Sequence, residues 1–207
     1  MLKRARVVKE ILDAYFSEPS IPLQHSNPYT LLIAVVLSAR STDAMVNRVT
    51  PKLFSQASTP EQMVQLSVEQ IQAVIKPCGL SPQKARALQM LSRLLIENHG
   101  GKVPQTFEEL EALPGVGHKT ASVVMAQAFH IPAFPVDTHI FRCARRWGLS
   151  KGVSVQAVEK DLKNIYPKKD WIRLHLQIIY FARAYCPALR HKPASCPICS
   201  VLGIVKE

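Results

Sequence analysis

The chain has 207 residues, and 47% of them are hydrophobic. That is enough for one large domain or two small ones with buried cores, and it excludes disorder over most of the length. Lysine and arginine outnumber aspartate and glutamate by 26 to 15, which gives a formal net charge of +11. This excess favours a polyanionic partner, most commonly nucleic acid, and leaves a basic surface that binds nothing as the alternative.

The N-terminal segment and the apolar runs both argue against a membrane partner. Residues 1–16 are charged and then amphipathic, without the apolar core of a signal peptide. The longest purely apolar run, residues 31–37, is far too short to span a bilayer. The sequence therefore predicts a cytoplasmic protein.

Apolar residues recur at helical spacing from the first segment onward. One face of the first predicted helix carries five apolar residues: Val7, Val8, Ile11, Leu12 and Tyr15. Residues 31–37 are apolar on every side, which predicts a buried helix. No segment shows the alternation typical of a strand. The later helical runs are preceded by residues that favour the N-cap position: Thr59, Ser67, Ser81, Thr106 and Ser154. We therefore predict an all-α fold of short helices.

A turn rich in glycine separates two of these helices. Residues 113–121 read Leu-Pro-Gly-Val-Gly-His-Lys-Thr-Ala. Two glycines around Val116 allow a tight turn with open backbone N–H groups, and the next helix directs its positive dipole end to the same point. Such a turn binds phosphate without reading sequence. A bare Gly-x-Gly would fit an ordinary corner between helices, but the full string is typical of the helix–hairpin–helix motif of DNA repair proteins.

Three segments together resemble the endonuclease III family of helix–hairpin–helix DNA glycosylases. They are the turn, residues 136–142 (Val-Asp-Thr-His-Ile-Phe-Arg) and residues 31–43. The resemblance implies two helical lobes flanking a DNA-binding cleft. Residues 22–132 would form a six-helix barrel-like domain containing the hairpin, and residues 1–21 plus 133–207 a second helical domain with a cysteine-containing tail. It also implies a bacterial-type, monomeric protein acting on damaged double-stranded DNA.

The resemblance implies that Lys119 is the nucleophile and that Asp137 assists it. A neutral lysine amine attacks C1′ of the damaged nucleotide and expels the base, and the resulting Schiff base permits strand cleavage by β-elimination. Asp137 can stabilise positive charge on the sugar, and it can also cap the helix that follows. The hairpin residues that would bind DNA are Gly115, Val116, Gly117, His118 and Thr120.

Both catalytic candidates could instead have ordinary structural roles. Lys119 could be an ordinary solvated lysine, and Asp137 only a helix cap.

The leading prediction is a glycosylase/lyase for oxidised pyrimidines. The alternatives are a purine-lesion or mismatch glycosylase on the same fold, and a non-catalytic DNA-binding module. Lys119 argues against the adenine-removing type, whose members generally lack a lysine there, and the pair argues against a pure binder.

A base inside a duplex must be extruded before chemistry, and a side chain must then fill the gap. Arg40 stands where the family's loop supplies a glutamine; it would either insert and pair with the orphaned base or contact a phosphate. Leu80 matches a wedge against the opposite strand, with a place in the core as the alternative.

Further candidates lie near helix ends. Asp43 and His139 match family positions that line the pocket, and each could instead make helix-end hydrogen bonds. Arg142 shares a helical face with Arg145 and Arg146. These arginines would either bind phosphates or form a solvated charged face.

Three of the five cysteines lie in the last 22 residues: Cys186, Cys196 and Cys199. In a reducing compartment this crowding indicates a metal site rather than disulfides, and Cys-x2-Cys is a strong ligand spacing. The resemblance implies a 4Fe–4S cluster held by four tail cysteines.

Two features of the tail depart from that pattern. The gap from Cys186 to Cys196 exceeds the usual six residues, and Val205 stands where the fourth cysteine is expected. A cluster with a substitute ligand, a zinc site or no metal, and relic cysteines all stay open. Cys143 and Cys78 are far away in sequence, and we predict that both are buried thiols.

Overall fold

The computed structural model of the protein describes residues 1–204, and every regular element in that range is helical. This confirms the predicted all-α class. None of these helices is both long and apolar enough to cross a membrane. The α-helices follow in this order: α1 (Leu2–Tyr15), α2 (Pro28–Ser38), α3 (Asp43–Phe54), α4 (Pro60–Met63), α5 (Val68–Ile75), α6 (Ser81–His99), α7 (Phe107–Glu111), α8 (His118–Ala128), α9 (Thr138–Arg146), α10 (Val155–Ile165), α11 (Trp171–Ala184) and α12 (Pro197–Val201).

The chain divides into two compact units. One unit is Ile21–Ile131 and contains α2 to α8, including the glycine-rich turn. The other combines Met1–Ser20 with the chain from Pro132 onward, and it contains α1 and α9 to α12. Because α1 and the C-terminal helices share one unit, both ends of the chain contribute to the unit that contains the cysteine tail.

Helix α2 is buried on every side within the first unit. Each residue of the apolar run 31–37 exposes at most 4% of its surface. The helix packs against α8, α3 and α6. Its start is closed by Asn27 and Thr30, whose side chains each accept a hydrogen bond from the other residue's backbone N–H. The predicted buried helix is therefore confirmed. It packs against α8, the helix that follows the glycine-rich turn.

The predicted helix caps are confirmed at four of the five positions. Side chains of the N-cap residues accept backbone N–H bonds at the starts of α4, α5, α7 and α10: Thr59, Ser67, Thr106 and Ser154. The prediction was wrong for Ser81, which is the buried first residue of α6. Leu80 precedes it in a left-handed conformation, so the helix begins at Ser81 and its side chain makes no cap.

The second unit has its own apolar core. Leu12, Phe134, Trp147 and Phe181 are fully buried there. The predicted apolar face of α1 is confirmed at Val8 and Leu12, which have no exposed surface, whereas Tyr15 at the end of the helix is 45% exposed. The tail cysteines belong to the same core: Cys186, Cys196 and Cys199. The tail is therefore anchored in the hydrophobic interior and is not a loose extension.

Candidate active site

The glycine-rich turn joins α7 to α8 and is fixed by packing beneath it. Val116 is buried and anchors the turn. Gly115 has a φ of +80°, which favours glycine, and an added Cβ would lie 3.2 Å from the Ala87 Cβ and 3.4 Å from Val36 Cγ1. The backbone conformation therefore favours glycine at position 115, and the close approach of α2 and α6 leaves little room for a side chain.

Gly117 occupies the other side of the turn under different constraints. Its φ of −98° suits any residue, and an added Cβ would meet no atom within 4 Å. It is the N-cap residue of α8, and no side chain caps that helix. The N–H groups of the first turn lack intrahelical acceptors, and the helix dipole adds positive potential there. This end of α8 therefore has the features of an anion-binding position.

Lys119 lies in the first turn of α8, exposed to solvent. Thr120 follows it, half-buried. His118 places its Nδ1 2.7 Å from Glu111 Oε1 and stacks on Phe107 at 5.3 Å between ring centroids. This contact joins α7 to α8 across the turn and fixes the helix start on which Lys119 stands.

Asp137 is half-buried at the start of α9, in the other unit. Its Oδ1 accepts a hydrogen bond of 2.8 Å from the backbone N–H of Ile140. The cap predicted for Asp137 is thus present, and this bond holds the carboxylate in one orientation. It does not test the catalytic roles of Lys119 and Asp137, which stay predictions.

Arg40 and Leu80 occupy two exposed turns of the first unit, and both have left-handed backbones. Their φ angles are 57° and 49°, which costs about 1–3 kcal/mol at residues other than glycine. Leu80 is 46% exposed, so the alternative that it belongs to the core is wrong. Backbone strain at exposed side chains of this kind often marks a functional position.

A buried lysine joins these two turns. Lys84 Nζ donates hydrogen bonds of 2.8 Å to the Leu37 carbonyl and 2.9 Å to the Cys78 carbonyl. The first acceptor lies three residues before Arg40 and the second two residues before Leu80. Burial lowers the pKa of Lys84 below its ordinary value. Lys84 therefore fixes the spacing between the two turns.

Two of the three arginines on α9 contact the cysteine tail, and the third is exposed to solvent. Arg142 donates to the Cys186 carbonyl at 3.0 Å and to His139 Nδ1 at 3.3 Å. Arg146 donates to the Pro187 carbonyl at 3.0 Å. These two side chains support the tail, whereas the exposed Arg145 lies over the Phe141 ring. Contacts of Arg142 and His139 with DNA stay predictions.

Asp43 is the half-buried first residue of α3. The cap of that helix is Thr42, whose side chain accepts the Met45 N–H, so Asp43 is not needed as the cap. A pocket role for Asp43 stays a prediction.

Comparison with known proteins decides the family. The model for the HhH-GPD superfamily of base excision DNA repair proteins matches residues 33–168. Endonuclease III of Bacillus subtilis (strain 168) is 43% identical over 201 residues, which covers 97% of this chain and 92% of that protein. The chain belongs to the endonuclease III family.

Solved structures of endonuclease III agree with this membership. A non-covalent endonuclease III–DNA complex superposes with a TM-score of 0.94 at 40% identity, covering 100% of this chain and 96% of that one. A trapped covalent endonuclease III–DNA intermediate gives a TM-score of 0.92 at 41% identity, covering 96% and 93%. The resemblance stated from the turn and the 136–142 segment is thus confirmed over nearly the whole chain.

In this family member the tail forms a set of four potential metal ligands. The sulfurs of Cys186, Cys196 and Cys199 and one imidazole nitrogen of His191 all lie within 4.8 Å of one another. The predicted metal site is therefore present as a donor set. The sequence analysis did not include His191 among the candidate ligands. The Cys-x4-His-x4-Cys-x2-Cys spacing of the tail was the signal that could have revealed it.

Neighbouring groups favour the thiolate form of Cys186. Hydrogen bonds from Cys143 and Cys196, together with the Arg146 guanidinium, hold the pKa of the Cys186 thiol well below its ordinary value. Arg146 Nη1 lies 3.2 Å from this sulfur. Cys143 and Cys78 are buried free thiols, as predicted. Cys143 also contacts Cys186, one of the four potential metal ligands. Val205, the expected position of a fourth cysteine, lies outside the described residues.

Proposed function

We propose that the protein is a base-excision DNA glycosylase with AP lyase activity, which removes oxidised pyrimidines from double-stranded DNA and cleaves the strand 3′ to the abasic site. The observation that carries this proposal is the exposed Lys119 in the first turn of an uncapped helix, directly after the glycine turn. Its support is the 40% identity to an endonuclease III seen bound to DNA.

The reaction begins at the Lys119 amine. Its nitrogen forms a bond to C1′ of the damaged nucleotide, the C1′–base bond breaks, and the base leaves with the bonding electrons and takes up a proton. The sugar ring opens to a Schiff base, which acidifies the C2′ proton. Loss of that proton expels the 3′ phosphate by β-elimination, and hydrolysis of the imine restores the amine.

Asp137 stabilises positive charge on the sugar and helps to transfer protons. Its Oδ1 accepts the hydrogen bond from the Ile140 N–H, so Oδ2 is available for these two roles. Asp137→Asn separates the two roles, because asparagine is an equally good N-cap but carries no charge. We expect glycosylase turnover to fall about 100-fold or more, with the melting temperature nearly unchanged. Asp137→Ala is the matched comparison and should lose about 1 kcal/mol of stability as well.

The hairpin holds a phosphate on the strand being repaired. Gly115 and Val116 shape the turn, and the open side of Gly117 allows a phosphate to approach the N–H groups of His118, Lys119 and Thr120. Because phosphates carry no sequence information, this contact positions the damaged nucleotide and does not select it.

Arg40 and Leu80 replace the extruded base and separate the opposite strand. Their exposure and left-handed backbones support this proposal, and Lys84 sets the distance between them. In this proposal Asp43 and His139 each contact the extruded base, and Arg142 contacts backbone phosphate as well as the tail. The monomeric state and cytoplasmic location stay predictions.

The tail has a structural role. A bound metal orders the basic loop of residues 189–192 against the DNA backbone, because both flanks of that loop carry ligands. The resemblance implies a 4Fe–4S cluster for this donor set, and a single tetrahedral ion is the other occupant that three sulfurs and one imidazole can hold.

Borohydride trapping tests the reaction directly. Wild-type protein on duplex DNA containing an oxidised pyrimidine should give a covalent adduct, and Lys119→Ala should give none while still binding the duplex. Lys52→Ala, which removes another exposed lysine of the same unit, is the matched control and should trap normally.

The same assay separates the alternatives. If wild-type protein bound duplex DNA but neither formed a trapped adduct nor released a base, the non-catalytic binder would be correct. If trapping occurred only with purine lesions or mismatches in a panel of duplexes, the lyase chemistry would stand but the substrate class would be wrong.

A further inference from the structure

We infer that the tail binds one tetrahedral metal ion, zinc, through Cys186, His191, Cys196 and Cys199, in place of the 4Fe–4S cluster that the family resemblance implies. This inference concerns the occupant of the tail and does not depend on the reaction at Lys119. It is carried by the distances between the donor atoms, by the nature of the donors and by the length of the loop between them.

The donor atoms are spaced as one ion requires. Cys186 Sγ lies 4.0 Å from Cys199 Sγ, and His191 Nε2 lies 3.4 Å from Cys199 Sγ and 3.9 Å from Cys186 Sγ. Zinc bonds of about 2.3 Å to sulfur and about 2.0 Å to nitrogen place tetrahedral ligands about 3.5–3.8 Å apart. Small adjustments would bring all four atoms onto a single zinc ion.

A 4Fe–4S cluster does not fit the same spacing. Each of its four ligands binds a different iron, so the whole eight-atom core lies between the ligand atoms. Such ligands must stand farther apart than those that share one ion, whereas all four donor atoms of this tail lie within 4.8 Å of one another. Accommodating a cluster would require these buried side chains to move outward together.

The length of the loop explains how His191 comes to lie beside the cysteine sulfurs. Nine residues separate Cys186 from Cys196, instead of the usual six. Within this longer loop Arg190 adopts a φ of 57°, and the chain turns so that the next residue, His191, directs Nε2 towards the sulfurs. The two departures noted in the sequence thus have one explanation. The extended loop supplies the fourth donor internally, so the set is complete without a cysteine at position 205.

The donor set is of the closed, structural kind. Three thiolates and one imidazole complete a tetrahedron, as in Cys3His zinc sites, and leave no position open for substrate. Cys186, Cys196 and Cys199 are at most 1% exposed, so the ion would be shielded from solvent.

Groups around the ligands fit a metal-bound thiolate centre. Arg146 donates to the Cys186 sulfur at 3.2 Å, and Cys143 contacts the same sulfur. The backbone N–H of Cys199 donates to the Cys196 sulfur. Hydrogen bonds of this kind orient ligands and tune their affinity for the metal.

Metal analysis of the full-length protein tests the inference. Protein produced with both iron and zinc supplied, and purified without oxygen, should be colourless and contain about one zinc per chain, with neither iron nor acid-labile sulfide in stoichiometric amounts. Replacing zinc with cobalt(II) should produce the visible bands of a tetrahedral sulfur-rich site. A brown protein with iron and sulfide in equal amounts would overturn the inference, and so would protein that takes up no metal.

Two variants assign the fourth ligand. His191→Ala should weaken zinc retention against a competing chelator by more than about 100-fold, because loss of an outer partner alone typically costs 10–100-fold. His191→Cys should restore retention with an altered cobalt spectrum. Cys78→Ala removes a buried thiol of the other unit and should change neither zinc retention nor the cobalt spectrum. Unchanged retention in His191→Ala would exclude histidine as the ligand. Trapping at Lys119 remains a separate result, because it requires no metal.

Discussion

The glycine turn and the cysteine tail both hold a short loop in a fixed shape, but they do so by different means. At the turn, Val116 is buried and Gly115 fits against side chains of α2 and α6. In the tail, four donor atoms from a loop and a short helix lie within 4.8 Å of one another.

This difference predicts that the shape of the turn does not depend on DNA, whereas the shape of the tail depends on a metal. The turn is stabilised by apolar burial and by a backbone conformation that glycine allows, so it should keep its shape without DNA. The tail brings three thiols and an imidazole together, and their full stabilisation requires a metal. One loop is complete when the chain folds, whereas the other is complete only when metal binds.

Metal removal should give the largest contrast between the two loops. Structural zinc contributes apparent binding free energies on the order of 10 kcal/mol in small domains, so chelation should destabilise the tail more than any single substitution would. Hydrogen exchange measured by mass spectrometry should become faster over residues 186–204 and stay unchanged over residues 113–121. Equal acceleration in both segments would show that the turn also depends on the metal.

Substitutions of the two glycines should separate folding from DNA contact. Gly115→Ala combines a left-handed φ with a 3.2 Å approach to Ala87, so it should lose about 1–3 kcal/mol of stability. Gly117→Ser should instead gain a few tenths of a kcal/mol, because serine is a slightly better N-cap than glycine for α8. The new hydroxyl would occupy an N–H group that binds phosphate, so DNA affinity should fall about tenfold.

Chemical denaturation and fluorescence anisotropy on a short duplex measure these two effects. Normal DNA affinity in a stabilised Gly117→Ser protein would contradict the phosphate role of the α8 N-terminus.

The smallest effect is expected at the exposed turns. Leu80→Asn should gain up to about 1 kcal/mol of stability, because asparagine adopts the left-handed conformation more readily than leucine. Turnover should fall, because the apolar wedge is lost. His130→Asn is the matched control, since His130 is also exposed with a φ of 53°, and it should gain stability with no loss of turnover. A fully active Leu80→Asn protein would exclude the proposed role of Leu80 as a wedge against the opposite strand.

Local rules made part of this structure predictable from sequence. Caps such as Thr106 and Ser154 depend on a residue and the turn that follows it, so a short window of sequence contains the necessary information. The all-apolar run of residues 31–37 likewise predicts complete burial.

The missed features depend on contacts between distant segments. The left-handed Leu80 displaced the predicted cap at Ser81, and nothing in a leucine side chain signals that conformation. Lys84 reaches a carbonyl 47 residues away. These two features follow from the fold and cannot be derived from the spacing of one segment. His191 is different, because the Cys-x4-His-x4-Cys-x2-Cys spacing of the tail already contained the signal for a fourth ligand.

We propose that the Lys119 amine is the group that bonds to the sugar. Peptide mapping of the borohydride-reduced adduct by mass spectrometry identifies the amine that reacted. The sugar remnant should lie on the Lys119 side chain in wild-type protein. A remnant on the N-terminal amine or on another lysine, with Lys119 unmodified, would contradict this proposal.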